Sequence, residues 1–123
     1  MIRFVIDECV SKRVVRAISR WNAAHPSEVI DAIREGKPAD LPRRTPDPAV
    51  LLWAERNARV VVSVDYTTMP GHFADHLAAG RHSPGMLFIR PGAILRDIIS
   101  DLAMIAYAGD PDDFTDTIQY IPL

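Results

Sequence analysis

The chain has 123 residues, 48% of them hydrophobic and 24% charged, enough for one ordinary domain with a real core. A net charge of -2 argues against a nucleic-acid binder driven by bulk electrostatics, and any such binding must use a local basic patch or metal ions. No apolar run approaches the ~20 residues of a membrane span, the acid-bearing start MIRFVIDE lacks a signal-peptide layout, and one cysteine, Cys9, permits no internal disulfide; the expectation is a cytoplasmic protein.

The stretch IRFVI, residues 2–6, is short, apolar and β-branched, and predicts a first strand ended by Asp7 and Glu8. Ser11 caps a helix over Lys12 to Ala24, with Val14, Val15, Ile18 and Trp21 as its buried stripe and Arg13, Arg16 and Arg20 on another face. A second strand is expected at Glu28 to Ile33, with a short helix as the alternative. Residues 34–46, REGKPADLPRRTP, form a long loop of the kind that is often functional. Asp47 reads as the N-cap and Pro48 as the first position of the next helix. RVVVSV, residues 59–64, is a third strand, apolar enough for a sheet covered on both faces. A short helix over His72 to Ala79, a fourth strand at residues 85–89, an apolar helix from Ala93 to Ala108, a turn at DPDDFTD and a last strand in TIQYIPL complete the chain.

Alternating strands and helices imply a three-layer α/β/α sandwich around a mainly parallel, roughly five-stranded sheet. Ligands of such sheets bind beyond the carboxyl ends of the strands. Asp7 and Glu8 stand at the end of the first strand and Asp65 at the end of the third, and Asp47 opens the helix that leads into the third. Acids far apart in sequence are thus expected at one rim. Each also has a plain structural reading: Asp47 as a helix cap, Asp7 and Glu8 as strand terminators, Asp65 as a turn residue. Clustered carboxylates repel one another. Mg²⁺ or Mn²⁺, hard ions that take carboxylate oxygens, relieve that repulsion and support phosphodiester cleavage.

Two families carry acids at these places. VDYTTMPG resembles the phosphoacceptor Asp of response-regulator receiver domains and the turn that follows it. A receiver also needs a lysine after its fifth strand, whereas the lysines here are Lys12 and Lys37, and MLFIRPG lacks the receiver's switch hydroxyl. The closer resemblance is to the PIN-domain superfamily, in its small PIN-like bacterial branch. RFVIDECVSKRVVRAI resembles its opening strand, acidic pair and first helix. TPDPAVLLWAERNARVVVSVD resembles its most recognisable block, and YTTMPGHFADHLAAGRHSPGMLFIRPG its continuation, so nearly the whole chain is covered.

PIN domains are Mg²⁺- or Mn²⁺-dependent ribonucleases, many of them VapC-type toxins of bacterial toxin–antitoxin pairs. The resemblance implies Asp7, Asp47 and Asp65 as metal ligands and catalytic acids, Glu8 as an accessory acid, and Ser63, Thr67 and Thr68 as accessory polar groups. It implies an RNA substrate and a cognate antitoxin as partners. Ser63 reads equally as a buried strand serine, and Thr67 or Thr68 as the start of the next turn. Related branches place another acid just after the third-strand Asp, where this chain has Tyr66, Thr67 and Thr68; a catalytically inactive RNA- or protein-binding module is therefore the alternative. Arg13, Arg16, Arg43 and Arg44, with Arg34 and Lys37, are candidates for an RNA backbone, against solvated surface. His72, His76 and His82 lack zinc spacing, and Cys9 reads as a small buried packing residue. The 93–108 helix is apolar over much of its circumference, as a homodimer or antitoxin interface or as a helix buried in the monomer.

Overall fold

The computed structural model describes residues 1–123. Its strands are β1 (Arg3–Ile6), β2 (Ala32–Arg34), β3 (Arg59–Ser63), β4 (Met86–Ile89) and β5 (Ile118–Ile121). They form one sheet in the order β2-β1-β3-β4-β5, and every pairing is parallel. Between them run α1 (Lys12–Ala24), α2 (Asp47–Asn57), α3 (Met69–Ala78), α4 (Leu95–Ala108) and the single turn α5 (Pro111–Phe114). No helix is long and apolar enough to cross a membrane.

The three layers follow from the period of two along each strand. Phe4, Ile6, Val60, Val62, Leu87 and Ile89 join one core with Val14 and Ile18 of α1 and Ile98 and Leu102 of α4. The intervening Val5, Val61, Met86 and Phe88 join the other with Val50, Leu51 and Trp53 of α2 and Met69 and Phe73 of α3. A strand buried on both sides reads as a continuous apolar run, which is why RVVVS and MLFI carry no polar alternation.

Several boundaries differ from the sequence expectation. The second strand begins at Ala32, because the Asn22 amide grips Ile30 first: it donates to the Ile30 carbonyl at 2.9 Å and accepts from its amide at 2.7 Å. That ties residues near Ile30 to α1 and postpones pairing with β1. α3 begins at Met69 instead of His72; Pro70 suits its first turn, and Met69 is fully buried. DPDDF closes into the short α5, with the Asp110 carboxylate accepting from the Asp112 amide. Asp47 is not the N-cap of α2: Pro46 holds that position, its carbonyl taking the Ala49 and Val50 amides, and Asp47 is the first helical residue. The Asp47 carboxylate still favours the positive end of the helix dipole, yet it caps no amide and is left to face the rim.

On α4, Ile98, Ile99, Leu102, Ile105 and Ala106 are buried, whereas Ile94 just before it and Met104 and Tyr107 on it are exposed. The helix is therefore mostly core, with a partial apolar outer face.

At the opposite end of the sheet, Gly85 enters β4 at φ +125°, and a Cβ there would lie 2.5 Å from the Phe114 carbonyl oxygen. Gly85→Ala is expected to cost about 1–3 kcal/mol from this clash, in addition to backbone strain. Gly80→Ala, at φ +80° with nothing within 4 Å, carries the strain alone. Urea unfolding of both variants checks this: the Gly85 midpoint falls further than the Gly80 midpoint with the slope unchanged, and equal midpoints would refute the clash.

Candidate functional site

The strand order 2-1-3-4-5 reverses direction between β1 and β3, and a crevice opens outside the carboxyl ends of strands at such a switch point. Asp7 directly follows β1, and its amide still donates to Val62 of β3 at 2.9 Å. Its side chain is only 6% exposed with its neighbours. One carboxylate oxygen accepts from the Ser63 hydroxyl at 2.7 Å and from the Cys9 thiol at 3.2 Å. The Ser63 oxygen in turn accepts the Asp65 amide at 3.1 Å. Ser63, fully buried at the end of β3, thus links the strand-ending acid of β1 to the backbone that carries Asp65.

Asp65 is held by the turn that follows it. One oxygen accepts from the Thr67 amide (3.2 Å), the Thr67 hydroxyl (3.0 Å) and the Thr68 amide (3.0 Å), and the other contacts the Thr68 hydroxyl. These donors, the Thr68 hydroxyl foremost, pull its pKa down to about 2. The Thr68 oxygen also lies 3.4 Å from a carboxylate oxygen of Asp47, placing this hydroxyl between the two acids. The same Asp47 oxygen is 3.9 Å from His72 Nε2. Asp47 has a raised pKa, from burial first and then from the negative charges of Asp7 and Asp65.

A fourth acid joins them that the sequence patterns do not single out. Glu35 follows β2, its amide bonding the Ile6 carbonyl at 2.9 Å, and it is 4% exposed. Its carboxylate accepts the Glu8 amide at 3.2 Å. Burial, together with a hydrogen bond to the Asp7 carboxylate, raises its pKa to about 7. The signal is present in IREGK, an acid at a strand end like Asp7 and Asp65. It is hidden because the strand is expected to stop at Ile33, which leaves Glu35 in the loop.

Asp7, Glu35, Asp47 and Asp65 line one open concavity of about 310 Å³, with Glu8, Cys9, Arg44 and Thr45 around it. Glu8 is engaged elsewhere: its carboxylate accepts from Arg43 Nε at 3.1 Å and from the Arg44 amide at 2.7 Å, which lowers its pKa. Arg44 is therefore at the site, and Arg43 stands on its outer side in a neighbouring concavity. Arg13 is exposed and lines a separate, mostly apolar groove of about 540 Å³ between the starts of α1 and α4, where Tyr66 also lies. Arg16 is exposed on α1 and lines neither hollow. Asp75 is exposed on α3, beside His76 and Arg81 in a different hollow. Cys9 is exposed, contrary to the packing role expected of it, though its sulfur reaches inward to Asp7 and Ser63; burial of the thiol raises its pKa.

In donor type, four carboxylates at one rim suit a hard divalent cation. No three of the acid, histidine and cysteine side chains converge at metal-ligand spacing. The rim as it stands is a repulsive acid cluster held by hydrogen bonds.

The raised pKa of Glu35 has a thermodynamic consequence. Glu35 has a folded pKa of about 7 against an ordinary 4.5, so the folded chain binds the proton more tightly than the unfolded one. Its contribution to stability is present below the ordinary value and is lost as pH rises through about 7. Asp65 acts with the opposite sign: its contribution is present above the ordinary carboxylate value and is lost as pH falls toward about 2. Glu35→Gln, which keeps an amide donor for Asp7, is expected to flatten the decline in stability between about pH 5 and pH 7.5. Urea unfolding across that range reads the effect, and parallel profiles for the two proteins would remove Glu35 as its source.

Compared with known proteins, the chain matches no family model, no curated protein and no solved structure.

Proposed function

We propose that this protein is a metal-dependent ribonuclease of PIN-like type, acting on RNA phosphodiester bonds. The observation that carries the reading is the meeting of Asp7, Glu35, Asp47 and Asp65, from four separate elements, in one concavity at the sheet's switch point. Asp7, Asp47 and Asp65 would hold Mg²⁺ or Mn²⁺. When bound, such an ion neutralises charge developing on a phosphodiester and lowers the pKa of an attacking water.

The chain's own groups have distinct tasks in this reading. Ser63 fixes Asp7 and the Asp65 backbone relative to each other. Ion binding requires the Asp47 and Asp65 carboxylates to turn inward, with Thr68 giving up its place between them. Glu8 acts through the loop, holding Arg43 and Arg44 beside the acids, and Arg44 faces the substrate phosphate. Glu35 supplies the additional acid that Tyr66, Thr67 and Thr68 do not. The PIN-like resemblance gives the setting, the toxin of a bacterial toxin–antitoxin pair in the cytoplasm, and an antitoxin or second copy would cover exposed Ile94 and Met104.

A second reading, an RNA- or protein-binding module without hydrolysis, is favoured by the lack of three converging donors. A receiver-like phosphoacceptor is the third. Its sheet shares the strand order 2-1-3-4-5, but no lysine accompanies Asp65 in the acid concavity.

Calorimetric titration with Mn²⁺, on wild type and Asp65→Asn, with RNA cleavage measured on the same samples, separates the three. The nuclease reading expects binding by wild type, loss of binding in the variant, and cleavage reduced at least ~100-fold, beyond the ~10–100-fold typical of outer-shell partners. Binding without cleavage selects the binding module. No Mn²⁺ binding sinks the metal site, and labelling of Asp65 by acetyl phosphate selects the receiver.

A further inference from the structure

Beside the acid concavity lies a second one of about 180 Å³ with no apolar side chain in its wall. Lys12, Lys37, Arg34 and Arg43 line it, against Glu8 and Glu35. Both lysines of the chain are here. Arg43 is paired with Glu8 at 3.1 Å. Lys12, Lys37 and Arg34 form no ion pair, so the hollow keeps a formal excess of two positive charges in a protein whose net charge is -2. Field lines from such a concave wall concentrate an anion.

The hollow is built by the fold. Arg34 Nη2 donates to the Glu8 carbonyl at 2.9 Å and the Val10 carbonyl at 3.2 Å, which fixes the guanidinium against the first turn after β1. The loop after β2 doubles back: Lys37 N bonds the Arg34 carbonyl, Gly36 N bonds the Leu41 carbonyl at 2.8 Å, and Leu41 is fully buried. Gly36, at φ +101°, lets the Arg43 side chain pass so close that a Cβ would sit 2.6 Å from its Cγ. Lys12 enters from the first turn of α1. Four cations from three segments thereby surround one space, and roughly six waters' worth of volume, at ~30 Å³ each, is room for a tetrahedral oxyanion.

We propose that this hollow binds a backbone phosphate of a single RNA strand lying across the neighbouring acid site. The inference rests on the ribonuclease reading for the identity of the strand. Glu8 and Glu35 line both concavities, so a phosphate here and a phosphodiester at the acids are neighbours along one chain. The acid rim repels a polyanion, and the basic hollow offsets that repulsion where the strand enters. Contacts of this kind carry affinity without sequence choice.

The test is anisotropy of a labelled single-stranded RNA oligomer in EDTA, between about 50 and 200 mM KCl, so that binding is read apart from cleavage. Lys12→Gln/Lys37→Gln is expected to weaken binding about three- to tenfold at the low-salt end. It should also flatten the slope of log K against log salt by about 0.7 for each phosphate no longer neutralised. Lys12→Arg/Lys37→Arg should restore both, which a misfolded variant would not. Wild-type affinity and slope in the Gln variant overturn the proposal. Competition by inorganic phosphate at low millimolar concentration, with no lysine-dependent RNA binding, also overturns it and makes the hollow a free-oxyanion site. Lysine-dependent RNA binding by a wild type that never cleaves with Mg²⁺ or Mn²⁺ supports the pocket and sinks only the nuclease reading.

Discussion

The Ser63 hydroxyl bonded to the Asp7 carboxylate at 2.7 Å is the constraint around which the rim is arranged. Asp7 is buried, and a buried carboxylate needs donors to offset its lost hydration. Ser63 supplies one from the adjacent strand, the Cys9 thiol another, and Glu35 a third when it holds its proton. Each donor comes from a different stretch of chain, so satisfying Asp7 brings the ends of β1, β2 and β3 to a common level. Asp65 follows because its amide bonds to the same Ser63 oxygen. Polar networks of this kind are stabilising when complete and costly when one member is removed. An apolar residue at position 7 would relieve the repulsion and also dissolve the geometry.

A second arrangement keeps the long loop useful. Residues 34–46 carry prolines and charges and no strand beyond Arg34, yet Leu41 is buried and the Glu8 carboxylate binds Arg43 and the Arg44 amide. The loop is tied at its apolar centre and at its basic end. Glu8 therefore spends its charge on holding cations near the acids, a role that the acidic pair in the sequence does not announce. Its ion pair with Arg43 is exposed, so it contributes little stability by itself; what it fixes is position.

The layered fold was legible because its signals are period and punctuation. The apolar runs of β1, β3 and β4, the Ser11 cap of α1 and the alternation of strand and helix all survive in the structure. What failed was local and had side-chain causes. The Asn22 amide displaced the start of β2, and no propensity in HPSEVIDAI encodes a partner eight residues back. Ending that strand one residue early, at Ile33, hid Glu35, whose importance depends on its standing immediately after the strand. Asp47 looked like a cap because Asp-Pro commonly is one; shifted by one position, its carboxylate is freed for the rim. Asp7, Asp47 and Asp65 were legible as a group because topology alone sends strand ends to one edge. Which carboxylates touch, and through which hydroxyls, depends on rotamers that no spacing rule contains.

The charge of the whole chain says little about its rim, and the reason is spatial. Acids occupy the positions nearest the switch point, where burial and mutual repulsion raise the pKa values of Asp47 and Glu35. Cations come from the loop and from the start of α1, around the adjoining hollow. Screening acts over about 10 Å at ordinary ionic strength, so a ligand meeting this surface responds to neighbouring hollows of opposite sign, and the net value of -2 is not what it sees. A strand of phosphates crossing from the basic hollow to the acidic one moves from attraction into repulsion. In the ribonuclease reading, a divalent cation at the acids would reverse the second half of that path, so metal binding and engagement of the strand would reinforce each other.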